Sequence, residues 1–176
     1  MKVHDLEFEL FISADQIQNR VEEIARELNE TYKGKQPLIL SILNGAYMFT
    51  ADLTRKLDFH CEINFVRISS YKGLSSSGVV EIEDGNTIEV GGKDIIIVED
   101  IVDTGRTMHA YLPYLKAKQP ASLSLVTCLF KKEQLAFDIP IDHVGFEIPS
   151  DFVIGYGLDY DGLGRNFDDI YKLKAH

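Results

Sequence analysis

The sequence predicts an α/β fold in which a central, mostly parallel sheet is flanked by helices. Residues 95–98 are four consecutive β-branched residues, and a strand that is apolar on both faces is typical of the middle of a parallel sheet. Residues 38–43 form a second apolar run. Each run leads into a glycine-containing turn and then a helical pattern, and this order is the repeating unit of parallel α/β sheets.

The length and charge of the chain indicate how many domains it has and which kinds of partner it binds. With 176 residues it is long enough for a substantial core, and residues 1–176 are interpreted as one domain. The net charge of −10 argues against nucleic acid as a partner, because nucleic-acid binding needs a basic surface. No apolar run has the length of a transmembrane helix, and the first residues lack the apolar core of a signal peptide. We therefore expect no membrane or nucleic-acid partner.

The chain contains two cysteines, Cys61 and Cys128, which are far apart in sequence. Each lies in an apolar run typical of a strand. Few, widely spaced cysteines are typical of proteins from a reducing compartment. We expect buried, reduced thiols, no disulfide and a cytoplasmic location.

Periodicity and capping signals predict the other elements. Alternation predicts a strand over 6–12, and Ser13 with Gln16 has the spacing of a capping box that starts a helix ending near Tyr32. A second helix starts at Tyr47, and a third, from Met108, contains Pro113, which predicts a kink or an early end. Further strands are predicted over 60–68, 123–130, 143–147 and 169–173.

Residues 72–78 are small and polar and are flanked by glycine. Such a loop is either a solvent-exposed hairpin tip or a lid that closes over a site. The following residues, 79–82 and 87–90, flank an Asp-Gly-Asn turn and predict a β-hairpin.

The most informative chemistry follows the run 95–98. Glu99, Asp100 and Asp103 place three acids within five positions, and the small, hydroxyl-rich stretch 104–107 comes next. A strand, a tight loop and a helix start together present backbone N–H groups to a phosphate. Acidic side chains beside a phosphate site indicate that they bind ribose hydroxyl groups, bind a metal or act as a proton acceptor. The alternative is an ordinary buried strand with a polar turn and an acidic helix cap.

Three other places carry candidate groups. The turn at Asn44 and Gly45 is either a second anion loop or plain connectivity. Lys131 follows a predicted strand, where functional groups cluster in parallel sheets, although it could be plain surface charge. The stretch 152–161 begins with an aromatic residue, contains two glycines and ends in acids, which suits a flat ligand near a metal. Phe152 could instead be core, and Asp159 a solvated loop acid.

The stretch 97–107, Ile-Val-Glu-Asp-Ile-Val-Asp-Thr-Gly-Arg-Thr, resembles the 5-phosphoribosyl-1-pyrophosphate (PRPP) signature of type I phosphoribosyltransferases. From about Pro37 to Arg165 the chain resembles the hypoxanthine-guanine phosphoribosyltransferases. The resemblance implies the type I phosphoribosyltransferase fold, with a small hood made by the N-terminal and C-terminal segments. It also implies Mg²⁺-dependent transfer of 5-phosphoribosyl from PRPP to N9 of a 6-oxopurine, giving IMP or GMP and pyrophosphate.

The resemblance also implies roles for the residues of the central motif. Glu99 and Asp100 would hold the ribose hydroxyls, directly or through metal, and Asp103 would be the general base near purine N7. The 5′-phosphate would be bound by backbone amides and hydroxyl groups of the loop that follows. The residues of that loop are Asp103, Thr104, Gly105, Arg106 and Thr107.

Purine and pyrophosphate contacts are implied further along the chain. Lys131 would donate to the 6-oxo group, Phe152 would stack on the base and Val153 would meet its edge. Asp159 would lie beside the purine and bind a Mg²⁺ shared with pyrophosphate. Other residues are assigned by the resemblance to pyrophosphate and to the lid. They are Asn44, Gly45 and Arg165 for pyrophosphate, and Ser70 and Tyr71 for the lid.

The sequence departs from the family at Asn44, where many members carry lysine. The loop would then rely on backbone groups and metal to hold pyrophosphate. Two alternatives stay open: a regulator that keeps the fold and binds PRPP or nucleotides as a signal, and a phosphoribosyltransferase for another base. The order of preference among hypoxanthine, guanine and xanthine is also open, and the family is usually dimeric or tetrameric.

Overall fold

The structure is a computed structural model that describes residues 1–70, 80–83 and 88–174. Of residues 69, 70 and 80–83 it describes the backbone alone. The predicted lid, with Tyr71, the side chain of Ser70 and the stretch 72–78, lies outside the described residues. The lid therefore stays a prediction.

Ten strands and three helices make up the described chain, numbered here in chain order. The strands are β1 (Lys2–Val3), β2 (Leu6–Ile12), β3 (Leu38–Leu43), β4 (Glu62–Ser70), β5 (Val80–Glu83), β6 (Asp94–Val102), β7 (Ser122–Phe130), β8 (His143–Glu147), β9 (Val153–Ile154) and β10 (Ile170–Leu173). The helices are α1 (Ala14–Thr31), α2 (Tyr47–Thr54) and α3 (Arg106–Ala117), and a 3-10 turn covers Lys132–Gln134.

The larger sheet has the strand order β5-β4-β3-β6-β7-β8, and only β5 runs antiparallel to its neighbour. Alternate residues of β6 face opposite layers, which explains why its apolar run is continuous. Ile96 and Val98 pack with α1 and α2, whereas Ile95 and Ile97 pack with α3. The predicted α/β fold, a mostly parallel sheet with helices on both faces, is confirmed.

A second, antiparallel sheet has the order β1-β2-β10-β9 and joins the two ends of the chain. It has a small core of its own around Val3, Phe8 and Ile154. This sheet occupies the part of the chain where the resemblance placed the hood. Because β9 begins at Val153, the second sheet also fixes the start of the informative stretch 152–161.

Local predictions had mixed outcomes. The capping box is confirmed: Ser13 N donates to Gln16 Oε1 at 3.0 Å, and Gln16 N donates to Ser13 Oγ at 3.3 Å. Of the two outcomes predicted at Pro113, the early end is wrong, because α3 continues to Ala117, and the kink stays a prediction. The hairpin is wrong in its described part, since β5 pairs with β4 and residues 88–90 form no strand. Main-chain pairing across the sheet, which local patterns do not report, decided this point.

Cys61 is half-buried and Cys128 is buried, and both thiols are free. Burial raises the pKa of both thiols, which keeps them protonated near neutral pH. The absence of a disulfide agrees with the sequence prediction. Among the described residues, no helix is both long enough and apolar enough to span a membrane.

Candidate active site

The loop between β6 and α3 forms a small concavity at the start of a helix, a geometry that suits an anion. Gly105 precedes the helix with a φ of 78°, a left-handed conformation that glycine adopts without steric cost. The first N–H groups of a helix lack partners within the helix and carry its positive dipole end. The loop encloses about 80 Å³, which suits a phosphate group. Its lining residues are Glu99, Ile101, Val102, Asp103, Thr104, Gly105, Arg106, Thr107 and Met108.

A second pocket, of about 200 Å³, lies beside this loop and draws residues from distant parts of the chain. They come from the end of β6, the end of β7, the start of β9 and the loop that follows β9. Seven of the predicted site residues line it, together with Ile101 and Leu158: Asp100, Asp103, Lys131, Phe152, Val153, Asp159 and Arg165. The parallel sheet brings the carboxyl ends of β6 and β7 to one edge of the sheet. The second sheet contributes the aromatic ring of Phe152, which precedes β9.

Lys131 is 7% exposed, which rules out the surface-charge interpretation, whereas the adjacent Lys132 is exposed. Its ammonium lies 3.5 Å from Asp103 Oδ2. A buried ammonium is retained when it is paired, because unpaired burial is costly. Lys131 also has two further N–H groups that it can direct to a ligand in the pocket.

Phe152 and Val153 differ in exposure although they are adjacent. Phe152 is 41% exposed, so it is not an ordinary core residue. Its ring packs edge-on against Tyr160 with centroids 5.7 Å apart, which steadies an exposed aromatic surface. Val153 is buried and pairs with Lys172 of β10. Phe152 therefore has the exposure that stacking on a flat ligand requires, and Val153 has a fixed backbone.

Glu99, which is buried, and Asp100, which is half-buried, form an acidic pair at the end of β6. Burial raises the pKa of Glu99 well above its usual value, and the Asp100 carboxylate raises it further. Burial also raises the pKa of Asp100. Glu99 Oε2 is buried and finds no hydrogen-bond partner among the described residues. A cation or ribose hydroxyl groups would satisfy this pair.

The donor set fits a magnesium ion that is held mainly by substrate. Among the described residues, no group of three or more His, Cys, Asp or Glu side chains is arranged to hold a metal. Mg²⁺ is commonly bound by one or two carboxylates together with substrate phosphates and water. The buried, unpaired oxygen of Glu99 beside Asp100 fits such partial coordination.

Asp159 and Arg165 are paired side chains on the far wall of the pocket. Arg165 Nη2 lies 2.7 Å from Asp159 Oδ1, and Arg165 Nη1 donates to the carbonyl of Gly157 at 2.7 Å. Asp159 also accepts from the amide of Gly162 at 2.8 Å, so it is not a free, solvated loop acid. The guanidinium is thus held in place at the pocket's edge.

Asn44 and Gly45 line neither of the two pockets, but Gly45 touches the acidic pair. The Leu43–Asn44 peptide bond is cis. A Cβ placed on Gly45 would lie 1.4 Å from Asp100 Oδ2, and one on Gly157 would lie 1.9 Å from Gly45 O. Glycine at both positions lets the turn after β3, the acids of β6 and the loop after β9 approach one another closely.

Two residues near the site were given no role by the sequence interpretation, although the resemblance to the family includes Arg67. Arg67 Nη2 donates to Asn44 Oδ1 at 3.2 Å, so a cation stands beside the loop that lacks the family's lysine. The parallel pairing of β3 and β4 places Arg67 opposite Leu43, the residue before Asn44, and the pairing of these two strands could have indicated the contact. Gln134 lies against Asp103, and no pattern in the sequence indicated that contact.

Comparisons with known proteins agree with this geometry. A model of the phosphoribosyl transferase domain matches residues 13–161. The hypoxanthine-guanine phosphoribosyltransferase of Aquifex aeolicus is 37% identical over 175 residues, which are 98% of this chain and 98% of that protein. The hypoxanthine-guanine-xanthine phosphoribosyltransferase of Tritrichomonas foetus is 40% identical over 97% of this chain and 93% of that protein.

A solved structure extends the likeness to three dimensions. The crystal structure of a hypoxanthine phosphoribosyltransferase from Staphylococcus aureus matches with a TM-score of 0.90 and 38% identity. The match covers 97% of this chain and 92% of that one. Sequence, fold and site geometry lead to the same conclusion: the chain belongs to the phosphoribosyltransferase family.

Proposed function

We propose that this chain transfers the 5-phosphoribosyl group of PRPP to N9 of hypoxanthine or guanine, producing IMP or GMP and pyrophosphate in purine salvage. The observation that carries the proposal is the 200 Å³ pocket beside the phosphate loop. It combines a carboxylate, a buried ammonium and an exposed aromatic ring, contributed by Asp103, Lys131 and Phe152. These are the groups that a flat, oxygen-bearing base with a proton to lose requires.

The 5′-phosphate binds at the start of α3. Backbone amides from Asp103 to Thr107 and the hydroxyl groups of Thr104 and Thr107 surround it. Glu99 and Asp100 hold the ribose 2′- and 3′-hydroxyl groups. Pairing with hydroxyl groups and Mg²⁺ satisfies carboxylates that are otherwise buried together, so substrate binding relieves part of their desolvation cost.

In the reaction, the bond between C1′ and the pyrophosphate oxygen breaks as the bond between C1′ and purine N9 forms. Positive charge develops on the ribose ring, and pyrophosphate leaves with the bonding electrons. The purine gives up a proton, which Asp103 accepts near N7. A placed general base of this kind contributes roughly 10²–10⁴-fold to rate.

Base selection rests on Lys131, Phe152 and Val153. Lys131 donates to the 6-oxo oxygen, a position where adenine carries a donor amino group instead. Two donors facing each other leave both unpaired, at a cost of roughly 1–3 kcal/mol. Phe152 stacks on the purine face, and main-chain groups at Val153 meet its edge. This arrangement favours 6-oxopurines over adenine.

Asn44, Gly45 and Arg165 bind pyrophosphate. When bound, Mg²⁺ neutralises charge on the leaving pyrophosphate, and Glu99, Asp100 and Asp159 are the residues of this chain that would hold it. Arg165 and the turn at Gly45 orient the leaving group. The predicted lid role of Ser70 and Tyr71 stays part of the proposal: a lid would exclude water, which would otherwise capture the ribosyl cation.

The proposal also covers the domain organisation, the location and the assembly of the protein. The 176 residues act as one phosphoribosyltransferase domain, with the second sheet as its hood. The free, protonated thiols of Cys61 and Cys128 support a cytoplasmic location. The protein assembles as a homodimer or homotetramer, which size measurement in solution would check.

The deciding experiment incubates the protein with PRPP, Mg²⁺ and each of hypoxanthine, guanine, xanthine and adenine, and separates the nucleotides by chromatography. We expect product from hypoxanthine or guanine, little from adenine, and loss of product when EDTA removes the metal. Product from no base would overturn the proposed activity and favour a PRPP-binding regulator. Product from adenine alone would overturn the assignment of Lys131.

A further inference from the structure

The side chain of Asp103 is partly exposed, although a general base must be held in a defined position relative to the proton that it accepts. Asp103 lies in the loop between β6 and α3, and its side chain is 43% exposed. An exposed aspartate samples several rotamers, whereas a general base must stay within hydrogen-bond reach of its proton. Something outside the loop must therefore hold the carboxylate.

The segment 131–137, which follows β7, packs directly on this loop. Lys131 N donates to Val102 O at 2.9 Å, and Ala136 N donates to Thr104 O at 3.0 Å. A Cβ on Gly105 would meet Leu135 Cδ1 at 3.0 Å, which shows how closely the two segments approach. The segment is thus fastened to the phosphate loop on both sides of its 3-10 turn.

The 3-10 turn carries the half-buried Gln134 to the Asp103 carboxylate. Its backbone amide donates to Lys131 O at 3.0 Å, which fixes the turn. The side-chain amide of Gln134 is oriented with its nitrogen toward Asp103. Only in that orientation does the amide N–H group point at the carboxylate oxygens, which accept hydrogen bonds. The nitrogen then lies 3.3 Å from Asp103 Oδ2 and also donates to Oδ1.

The contacts that Lys131 and Gln134 make with Asp103 differ in charge. Lys131 is a cation that, under the proposed function, must also donate to the purine. If Lys131 alone held Asp103, the carboxylate would follow the ammonium whenever the ammonium turned to the base. The Gln134 amide is neutral and contacts both carboxylate oxygens, so it fixes the plane of the carboxylate and leaves Lys131 free to serve the ligand.

We propose that Gln134 is a positioning residue that holds the Asp103 carboxylate in the orientation needed to accept the purine proton. This inference rests on the proposed function and deepens it by one residue. Gln134 does not touch substrate; it acts through Asp103. Its loss should therefore lower kcat and leave the binding of PRPP, which other residues hold, almost unchanged.

The test compares Gln134→Met, which keeps length without a hydrogen bond, and Gln134→Glu, which places an anion beside Asp103. We expect kcat to fall about tenfold or more in both, with KM for PRPP changed by less than about twofold. The matched control is Gln36→Met, an exposed glutamine at the opposite end of β3, which should keep the kcat of the wild type.

A double-mutant cycle separates positioning from a general structural effect. In an Asp103→Asn background, Gln134→Met should change kcat by less than about twofold, because the carboxylate that it orients is gone. An undiminished kcat in both Gln134 variants, or an equal loss with and without Asp103, would overturn the inference alone. A wild-type protein that forms no nucleotide would overturn the proposed function, and this inference with it.

Discussion

Lys131 Nζ lies 3.5 Å from Asp103 Oδ2, although the two residues belong to different strand–loop units. The pairing places the proposed donor to the purine oxygen and the proposed acceptor of the purine proton side by side. Lys131 is almost fully buried, and Asp103 is partly exposed. The pair therefore has one buried member and one partly exposed member that needs further support.

Lys131→Ala should reduce kcat/KM for hypoxanthine and guanine by roughly 10–100-fold, the equivalent of a lost charge-assisted hydrogen bond of about 1.5–3 kcal/mol. The measurement is steady-state kinetics with each base. Lys132→Ala is the matched control, because Lys132 is the exposed neighbour, and its ammonium makes a surface contact of 3.8 Å to Glu147. Equal losses in the two variants would contradict a specific role for Lys131.

Asp103→Asn should bind PRPP with unchanged affinity while kcat falls by roughly 10²–10⁴-fold, because an amide keeps the size of the carboxylate but does not accept the purine proton. Calorimetric titration of PRPP with Mg²⁺ measures the first quantity, and nucleotide formation measures the second. Full turnover in this variant would remove Asp103 as the base.

Gly157→Ala should abolish most activity, since Gly157 has a φ of 100° and its Cβ would lie 1.9 Å from Gly45 O. The clash separates the loop after β9 from the turn after β3. Gly34→Ala is the control, because Gly34 has a φ of 74° and open space around its Cβ position. That control should lose about 1–2 kcal/mol of stability from backbone strain and keep its kcat. Comparable activity in both variants would contradict the steric argument.

Arg67→Gln should raise KM for PRPP about three- to tenfold, because removing one exposed cation near pyrophosphate weakens binding by about 0.7–1.4 kcal/mol, within the range of an ordinary hydrogen bond. Adding lysine at the neighbouring position, in Arg67→Gln with Asn44→Lys, should restore much of the loss. Arg26→Gln, on the exposed face of α1, is the control. If KM for PRPP stays at the wild-type value, Arg67 only supports the side chain of Asn44.

Glu99→Gln should stabilise the ligand-free protein, and increasingly so as the pH rises. Burial raises the pKa of Glu99 above its ordinary value of 4.5, so the folded state favours the neutral acid. Below pH 4.5 both states hold the proton and the variant should match the wild type. Above it, the unfolded chain releases the proton first, which lowers wild-type stability until the folded pKa is passed.

Urea unfolding between pH 4 and pH 8 measures this difference, which we expect to reach about 1–3 kcal/mol, the range for an unsatisfied buried polar group. Glu30→Gln, on the exposed side of α1, is the control and should show no such trend. A stability difference that shrinks as the pH rises would have the wrong sign. Weaker PRPP binding by Glu99→Gln would connect the stability cost to function.

Much of the site was predictable because its central part is contiguous. Glu99 to Thr107 are neighbours in sequence, and a strand that runs into a helix through a glycine turn dictates where their amides and acids lie. Lys131 was proposed from its position after a predicted strand and Phe152 as the aromatic start of the stretch 152–161, and both line the same pocket. Prediction was weakest where a local pattern had two outcomes, as at Pro113 and in the hairpin that proved to be the edge strand β5.

The sequence by itself determined the parallel sheet, the capping of α1 and the passage from β6 through a glycine turn into α3, because periodicity and nearest-neighbour geometry encode them. Only the tertiary structure decided that Gln134 reaches Asp103, that Arg67 stands beside Asn44 and that Gly45 lies against Asp100. These contacts join separate segments, and their distances depend on how strands are registered and how loops pack. No local preference of the chain carries that information, because each contact arises only once the whole sheet has formed.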